Sequence, residues 1–441
     1  MQKSGTKTDT SQAQTRVRVF AQDNRMWHQV QSEAQPIRYA IGSGRIGRSY
    51  LVRKGVHLFQ SPVTFYEGPK HWALSPGYEK DEHPDFFRQI TPECLFCHTS
   101  ARGAEPVPIG CARCHGDGQA HAANPSEGNI VNPAKLNDRA RDSVCEQCHL
   151  GGEIRIALPG KSTQDFKPGM LLEEVVATFV NEGRTGGSIT GHVEQLAASR
   201  CRDEAGARLS CGACHNPHPT HSEKSVNQRC QQCHARPSKA SHDNFATDCV
   251  SCHMPRLPAI GVPHSATTSH LIERAPRLDG DVAAVKQLDA WPRDGSKRSS
   301  ALAKRNLGLA NHAIGQRDAN VQLLGRAFAL LSETQKEFSA DSDVLSALGL
   351  MLLQKSVPGA ALRLFSEAAR LEPKFGRHHL NRAIALLATG NTREAEAELE
   401  KAIALEPSLR EAYVVLAGIY HQRGRVKDSR RVLESWNLFF R

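Results

Sequence analysis

Six copies of the pattern Cys-x-x-Cys-His lie between Cys94 and His253, and together they contain twelve of the thirteen cysteines. The spacing suits one chemistry in particular, because two thiols three positions apart can add to the two vinyl groups of one porphyrin. The histidine that follows is then held beneath the iron, where a neutral imidazole nitrogen is a good ligand. The pattern therefore predicts six covalently bound haem c groups. The predicted thioether cysteines are Cys94, Cys97, Cys111, Cys114, Cys145, Cys148, Cys211, Cys214, Cys230, Cys233, Cys249 and Cys252. The predicted proximal iron ligands are His98, His115, His149, His215, His234 and His253.

Paired cysteines also occur in zinc sites and in disulfide frameworks, and cysteine spacing alone leaves both alternatives open. Neither alternative requires a histidine in the fifth position. Histidine accounts for only 21 of the 441 residues, so its presence in all six copies favours haem. The remaining cysteine, Cys201, has no partner left in this interpretation and is predicted to be a free or buried thiol.

A haem iron that carries electrons usually has a second protein ligand on its opposite face. Eleven histidines before residue 275 lie outside the six motifs and are candidates for this role. His192 is favoured because it opens a predicted helical stretch, and His121 and His218 because each follows a motif within a few residues. The predicted distal ligands are His121, His192, His218, His264 and His270, with His83 or His242 next.

The segments before the motifs are expected to be a tail and a small sheet. Residues 1–14 are polar and predicted to be disordered, whereas residues 15–67 are predicted to form a β meander. Hydrophobic and polar residues alternate on both sides of Asp23-Asn24, which predicts a hairpin there. The glycine-rich run from Gly42 to Gly47 is not followed by a helix pattern, so it predicts a turn with positive φ rather than a phosphate-binding loop.

Residues 68–275 are predicted to be a hexahaem cytochrome domain with little regular secondary structure. The stretch is rich in glycine, proline and asparagine, as expected where cofactors fill the interior. The short spacings predict that the first two motifs are neighbours, and that the last three are neighbours as well. The longest gap between motifs contains two predicted helices, Gly169–Asn181 and Gly191–Ser199.

Residues 276–300 are predicted to be a linker, and residues 301–441 three to four tetratricopeptide (TPR) repeats. Two Leu-Glu-Pro sequences, which end at Pro373 and Pro407, lie 34 residues apart, as do Gly390 and Gly424. Such repeats stack into an α-solenoid whose concave face usually binds a protein. A purely structural role, packing over the haem domain, is also open. The predicted fold class is therefore mainly α, with an N-terminal β meander and a C-terminal solenoid around the cytochrome domain.

The formal charge of +10 does not predict a nucleic-acid partner, because haem propionates would offset much of it. Haem is attached covalently outside the cytoplasm, so a periplasmic or extracellular location is expected. The first residues lack the apolar segment of a signal peptide, which predicts a trimmed sequence or a natural start upstream of Met1. No apolar run is long enough to suggest a transmembrane segment.

Six short sequences, four of which contain a motif, carry a resemblance to a known protein family. They are Ile41-Gly-Ser-Gly44, Ser75-Pro-Gly77, Cys111-Ala-Arg-Cys-His-Gly116, Cys145-Glu-Gln-Cys-His-Leu150, Cys211-Gly-Ala-Cys-His-Asn-Pro-His218 and Cys249-Val-Ser-Cys-His-Met-Pro255. In these features the chain resembles bacterial multihaem cytochromes c with C-terminal TPR repeats, relatives of the cytochrome c554 and pentahaem nitrite reductase group. Such proteins commonly carry a further haem motif upstream of their β segment. None precedes Cys94 here, so the resemblance implies a missing N-terminal piece.

Electron transfer between redox partner proteins is the leading expectation, with the TPR repeats docking one partner and a homo-oligomer left open. The alternative is an oxidoreductase of small nitrogen or sulfur compounds at one haem with an open coordination position. Arg155 and the pair His218 and His221 are candidates for its substrate pocket or for neutralising propionates. Nitrite-reducing relatives use a lysine as the proximal ligand, whereas every motif here ends in histidine. A regulatory scaffold, in which the haems sense redox state, is a third interpretation.

Overall fold

The computed structural model describes most of the chain. The described residues are 17–42, 44, 46–78, 81, 84–100, 107–181, 191–218, 226–234, 248–259, 264–274, 287–292 and 300–439. The tail predicted at residues 1–14 and three histidines considered as site residues, His83, His221 and His242, lie outside them.

Two antiparallel sheets form the N-terminal part of the chain, and within each sheet the strands pair in sequence order. The first sheet consists of β1 (Val17–Gln22), β2 (Arg25–Val30) and β3 (Glu33–Pro36). The second consists of β4 (Tyr39–Ile41), β5 (Gly47–Lys54), β6 (His57–Tyr66) and β7 (His71–Leu74). The predicted β-rich segment is present, and β7 extends it beyond the predicted end at residue 67.

Two turns in these sheets have the backbone that their residues favour. Asp23 and Asn24 join β1 to β2 with φ of 51° and 58°, a pair of left-handed residues that matches the twist of a hairpin. Gly42 has a φ of 119°, and a Cβ there would lie 2.6 Å from the carbonyl oxygen of Gly47. Only glycine fits this position, which confirms the predicted turn.

Short helices joined by loops dominate the motif region. They are α1 (Pro92–His98), α2 (Ala112–His115), α3 (Gln119–Ala123), α4 (Asp138–His149), α5 (His192–Ala197), α6 (Arg200–Ala205), α7 (Cys211–Cys214), α8 (Val226–Cys230) and α9 (Cys249–His253). Single 3-10 turns lie at Glu127–Asn129, Pro133–Lys135, Thr163–Asp165, Leu172–Glu174 and Gly206–Arg208. Helix α5 lies within the stretch predicted at Gly191–Ser199, so that helix is confirmed.

Five further strands correct two expectations. They are β8 (Ile154–Ala157), β9 (Val176–Val180), β10 (Arg256–Pro258), β11 (Ala266–Thr268) and β12 (Asp289–Trp291). The helix predicted at Gly169–Asn181 is wrong, because its second half is β9, whose β-branched and aromatic residues are buried between β8 and β12. The linker predicted at residues 276–300 contains β12, which is held by pairing with β9 and by a 3.3 Å hydrogen bond from Trp291 Nε1 to Glu146 Oε1.

Eight helices in four antiparallel hairpins form the C-terminal part. They are α10 (Ala301–Arg317), α11 (Val321–Thr334), α12 (Ser342–Gln354), α13 (Pro358–Leu371), α14 (Gly376–Ala388), α15 (Thr392–Leu405), α16 (Arg410–Gln422) and α17 (Val426–Phe439). The first helices of the last three hairpins begin 34 residues apart, as the sequence period predicts. Gly349 in α12 packs so closely on Phe365 in α13 that an added Cβ would lie 2.6 Å from its ring. Small residues at such positions allow the two helices of a hairpin to approach each other.

The solenoid is held by the rest of the chain at both ends. Tyr413 and Trp436 of its last hairpin share a buried cluster with Val52 and Phe59 of the second N-terminal sheet. At the other end Arg305 of α10 is 1% exposed, donates a hydrogen bond to the carbonyl oxygen of Ala157 in β8, and pairs with Asp341 at 2.9 Å. The repeats therefore connect the N-terminal sheets to the motif region. Within the described residues, none of the helices has the length and hydropathy that a membrane crossing requires.

Candidate haem sites

Each of the six motifs folds as one helical turn. In motifs two, four and five the histidine N–H donates to the carbonyl oxygen of the first cysteine at 2.8, 2.9 and 2.9 Å. Motifs one, three and six form the C-terminal turns of α1, α4 and α9. Because residues three and four apart share one face of a helix, this turn places both thiols and the imidazole on the same side. That is the arrangement that attachment of one porphyrin requires.

Three motif histidines lie beside a histidine predicted as a distal ligand. His115 is paired with His218, with ring centroids 5.8 Å apart and an interplanar angle of 25°. His215 is paired with His270 at 6.0 Å and 27°. A third pair, His149 with His192, has centroids 5.5 Å apart and an angle of 35°. Each pair thus combines one candidate proximal and one candidate distal imidazole, the donor set of a six-coordinate haem iron.

Hydrogen bonds orient several of these rings. Nδ1 of His115 bonds the carbonyl oxygen of Val131, and Nδ1 of His253 that of Glu273, both at 2.8 Å. Nδ1 of His270 and of His121 makes the same kind of bond, to Thr268 and Ser126, at 3.0 Å. A carbonyl can only accept, so Nδ1 carries the proton and Nε2 holds the lone pair of the neutral ring. Metal-binding histidines are usually oriented in this way, and the residues present therefore fit a haem iron.

Two of the histidine pairs join into one four-histidine cluster. The rings of His192 and His270 lie 4.3 Å apart, which brings the His149 pair next to the His215 pair. Burial, with smaller contributions from His270, His149 and His215, lowers the pKa of His192 to about 4. The ring is therefore neutral at pH 7, the form that binds a metal. Nδ1 of His192 lies 3.4 Å from Nδ1 of His149, and its Nε2 lies 3.2 Å from the Thr267 hydroxyl.

Two other predicted distal ligands lie elsewhere. His264 packs edge-on against His71 and Tyr66, with ring centroids 4.6 and 5.3 Å apart. His121 is bonded through Nδ1 to the side-chain oxygen of Asn129 at 2.9 Å. Within the described ranges neither ring contacts a motif histidine, so their assignment as iron ligands stays a prediction.

Side chains from different motifs contact one another in a continuous series. The guanidinium of Arg113, in motif two, donates to the carbonyl oxygen of Thr99 after motif one. The thiol of Cys97 in motif one donates to the carbonyl oxygen of Gln147 in motif three at 3.6 Å, and the thiols of Cys145 in motif three and Cys211 in motif four are close enough to shift each other's pKa. Contacts from Arg229 to Ala213, at 3.2 Å, and from Asn227 to Asp248, at 3.3 Å, connect motifs four, five and six. The motifs predicted to be neighbours are thus close in the structure. Motif three, for which the sequence spacing predicts no neighbour, lies between motifs one and four.

The contact between motifs one and three also changes thiol chemistry. The neighbouring Cys148 thiol, assisted by the charges of Arg155 and Arg113, lowers the pKa of Cys97. The same contact raises the pKa of Cys148. All thirteen cysteines are free thiols in the structure, so it contains no disulfide framework.

Arg155, a candidate for a substrate pocket or for neutralising propionates, contacts the helix that carries motif three. Its guanidinium faces the end of α4 and donates to the carbonyl oxygens of Gln147, Glu146 and Leu150. Three of its five N–H donors are used in this way, and its role toward a substrate or a propionate stays a prediction. Gln147 connects motif three to motif two, because its amide nitrogen donates a hydrogen bond to the carbonyl oxygen of Arg113 at 3.1 Å. Neither contact has a signal in the sequence, since both depend on how β8 and α4 pack.

A cavity of about 510 Å³ lies between the β5–β6 hairpin and α1, lined by Leu58, Phe96 and Arg113 among others. Leu95 and Phe96, the two middle residues of the first motif, are part of its lining, whereas Cys94, Cys97 and His98 are not. In the part of the chain that the structure describes, no group of three or more His, Cys, Asp or Glu side chains is placed to hold a metal ion. A haem iron takes only two ligands from the protein, so the histidine pairs are the relevant arrangement.

Comparisons with known proteins identify the C-terminal repeats. The tetratricopeptide repeat family matches residues 386–440. The TPR repeat-containing thioredoxin TTL4 of Arabidopsis thaliana is 31% identical over 126 residues, which are 29% of this chain and 18% of that protein. The chain thus spans less than a fifth of that relative. Residues 386–440, which include the last helical hairpin, therefore match a TPR repeat, a module that typically mediates protein–protein interaction.

Solved structures with similar repeats include those of MamA. One MamA crystal structure has 14% identity and a TM-score of 0.29, covering 33% of this chain and 81% of that one. MamA from Desulfovibrio magneticus RS-1 has 16% identity and a TM-score of 0.27, covering 32% of this chain and 87% of that one.

Proposed function

We propose that this chain is a multihaem c-type cytochrome that transfers electrons through six haems, and that its TPR repeats dock a protein partner. The observation that carries the proposal is the pairing of motif histidines with non-motif histidines, seen in His115 with His218 and in His215 with His270. Neutral imidazoles on both sides of an iron give a six-coordinate centre with no open position, which suits electron transfer better than substrate binding.

The contacts between motifs support transfer along a series. Bound haem supplies a one-electron redox centre at each motif. The cysteines that would hold these groups are in contact from motif one to motif three and from motif three to motif four. Rigid positioning comes from the chain itself, through the carbonyl bonds to the imidazole rings and the side-chain bridges between the helical turns. With the bond from Gln147 to Arg113, these bridges bring motif three into contact with motifs one, two and four, and motifs five and six follow motif four.

The partner and the location follow from the same chemistry. Redox proteins are the partners that a series of haems implies, and the TPR repeats supply the interaction module. Because haem is attached covalently outside the cytoplasm, we place the protein in the periplasm or at the cell surface. A homo-oligomer is compatible with this role.

A haem-dependent oxidoreductase is the second candidate function. The observation that favours it concerns His98 and His234, because within the described ranges no non-motif histidine ring contacts either of them. An iron with an open face at one of these motifs would admit a small nitrogen or sulfur compound. High-spin iron in the wild-type protein would identify this case.

Electron paramagnetic resonance of His218→Ala, with a haem count by pyridine haemochrome, tests the proposal. We expect six haems in the wild type and in the variant, and a high-spin signal from one of the six irons that appears only in the variant. The reason is that the alanine leaves the iron at His115 without its second imidazole. His421→Ala, which changes an exposed histidine of α16, is the matched control and should leave the spectrum unchanged. Wild-type protein without covalent haem, or an unaltered spectrum in His218→Ala, would contradict the proposal.

A further inference from the structure

Arg155 closes the end of the helix that carries motif three. It lies on β8, opposite Thr178 in the pairing with β9. Its Nη1 donates to the carbonyl oxygen of Gln147 at 2.7 Å and its Nη2 to that of Glu146 at 2.8 Å and that of Leu150. One guanidinium therefore occupies three carbonyl groups that surround His149, the last residue of α4.

The end of a helix is electrically negative. The last four carbonyl groups have no partner within the helix, and the aligned peptide dipoles place about half a negative charge there. In α4, a helix of 12 residues, this charge lies at the histidine of motif three. Arg155 sets one full positive charge against it.

The charge of Arg155 is not cancelled by an ion pair. Among the described residues, Glu146 pairs with Arg139 at 2.9 Å, and no carboxylate pairs with Arg155. Glu194 is the other acid nearby, and burial raises its pKa although Arg155 opposes the shift. Arg155 is therefore bonded to neutral carbonyl groups and keeps its full charge next to α4.

We propose that Arg155 is a positioning residue that tunes the haem of motif three, and that its fixed charge raises the reduction potential of that haem. This inference rests on the proposed function. Oxidation adds one positive charge to the iron, so the negative helix end favours the oxidised form and the guanidinium favours the reduced form. Motif three lies between motifs one and four, so its potential controls passage between the two halves of the series.

Spectroelectrochemical titration of Arg155→Met and Arg155→Lys tests this role. In Arg155→Met we expect the component of motif three to shift to a more negative potential, with a smaller shift for motif one because the charge also acts on Cys97, while the other four stay in place. Arg155→Lys keeps the charge but loses the planar fork, so its titration should remain close to that of the wild type. Arg200→Met removes an arginine that is paired only with Glu204 on the surface, and it should shift no component.

The outcomes separate this inference from the proposed function. Wild-type protein without covalent haem contradicts the proposed function before any variant is measured. Six haems in Arg155→Met with six unchanged potentials overturns the role of Arg155 and leaves the proposed function standing. An equal negative shift in the lysine and methionine variants also overturns it, because geometry and not charge would then be responsible. If the methionine variant does not fold, Arg155→Gln retains amide donors without the charge and should show the same negative shift.

Discussion

His28 lies in an aromatic cluster of the N-terminal sheets and is fully buried. Its Nδ1 is 2.7 Å from the hydroxyl of Ser61, and the rings of Tyr50 and Trp72 meet it edge-on at 4.9 and 5.3 Å. Burial lowers the pKa of His28 to about 3. The side chain is therefore held in its neutral form by the fold, and charging it requires the sheets to open.

This burial predicts that the N-terminal sheets lose stability in weak acid. The unfolded chain binds a proton at the ordinary pKa of 6.5 and the folded chain only near 3, so stability is complete above pH 6.5 and falls as pH decreases toward 3. Between pH 7 and pH 5 the free energy of opening of β2 should fall by about 2 kcal/mol, measured by hydrogen exchange. His28→Phe should abolish this pH dependence, whereas His421→Gln should keep it. A flat profile in the wild type would show that His28 titrates normally.

At the residue scale, the sequence predicts which side chains belong to each motif, but it does not predict which other side chains they contact. The motif spacing lies within one helical turn, so the sequence alone identifies the thiols and the imidazole that share one side of each motif. Whether a given ring lies beside another depends on loop paths, which is why His218 contacts a motif histidine and His264 contacts His71. Arg155 shows the same limit, because β8 turns its side chain toward backbone carbonyls.

At the scale of elements, the helical hairpins depend on close contact between their two helices. Gly349 is the clearest case, since the space beside it is filled by the ring of Phe365, which has no exposed surface. The 34-residue period could be read from the sequence because each repeat solves the same packing problem. Strand β9 could not be predicted from the sequence, because a short apolar run fits a buried strand or a helix equally well until its pairing partners are known.

Gly349→Ala is predicted to destabilise the repeats. Its Cβ would overlap the Phe365 ring at 2.6 Å, and overpacking of this kind costs about 1–3 kcal/mol, more than the gain in helix propensity. Gly325→Ala in α11 is the matched control, because nothing lies within 4 Å of the added atom. It should stabilise the protein by about 0.5–1 kcal/mol. Thermal unfolding followed by circular dichroism measures both changes, and two shifts in the same direction would refute this account.

At the scale of the whole molecule, the solenoid connects the motif region to the N-terminal sheets. Its first helix is bonded to β8 through Arg305, and its last hairpin completes the core of the N-terminal sheets. The two ends of the solenoid therefore have the structural role that the sequence left open. The docking role that we propose for the repeats would use the surfaces between those ends.

Trp436→Ala is predicted to loosen the N-terminal sheets although it changes the last helix. The side chain is 8% exposed and packs on Phe87 and Tyr413, and truncation of a buried tryptophan costs about 3–5 kcal/mol. Hydrogen exchange in β5 and β6 should become faster. Leu433→Ala on the same helix removes a side chain that is 42% exposed and should have little effect. Unchanged exchange in β5 and β6 of the tryptophan variant would mean that the sheets are stable without the repeats.

The shared core of the first sheets and the last hairpin has a consequence for the order of folding. Contacts between the two extremes of a chain form late, because a long loop must close before they contribute any stability. We expect the repeats to fold first as a local unit and the sheets to complete their core only when α16 and α17 are in place. The segment with the six cysteine pairs lies between these parts and stays accessible until closure. A maturation enzyme that attaches a group to those thiols would thus have an interval in which to act, and the packing of α16 and α17 on the sheets would end it.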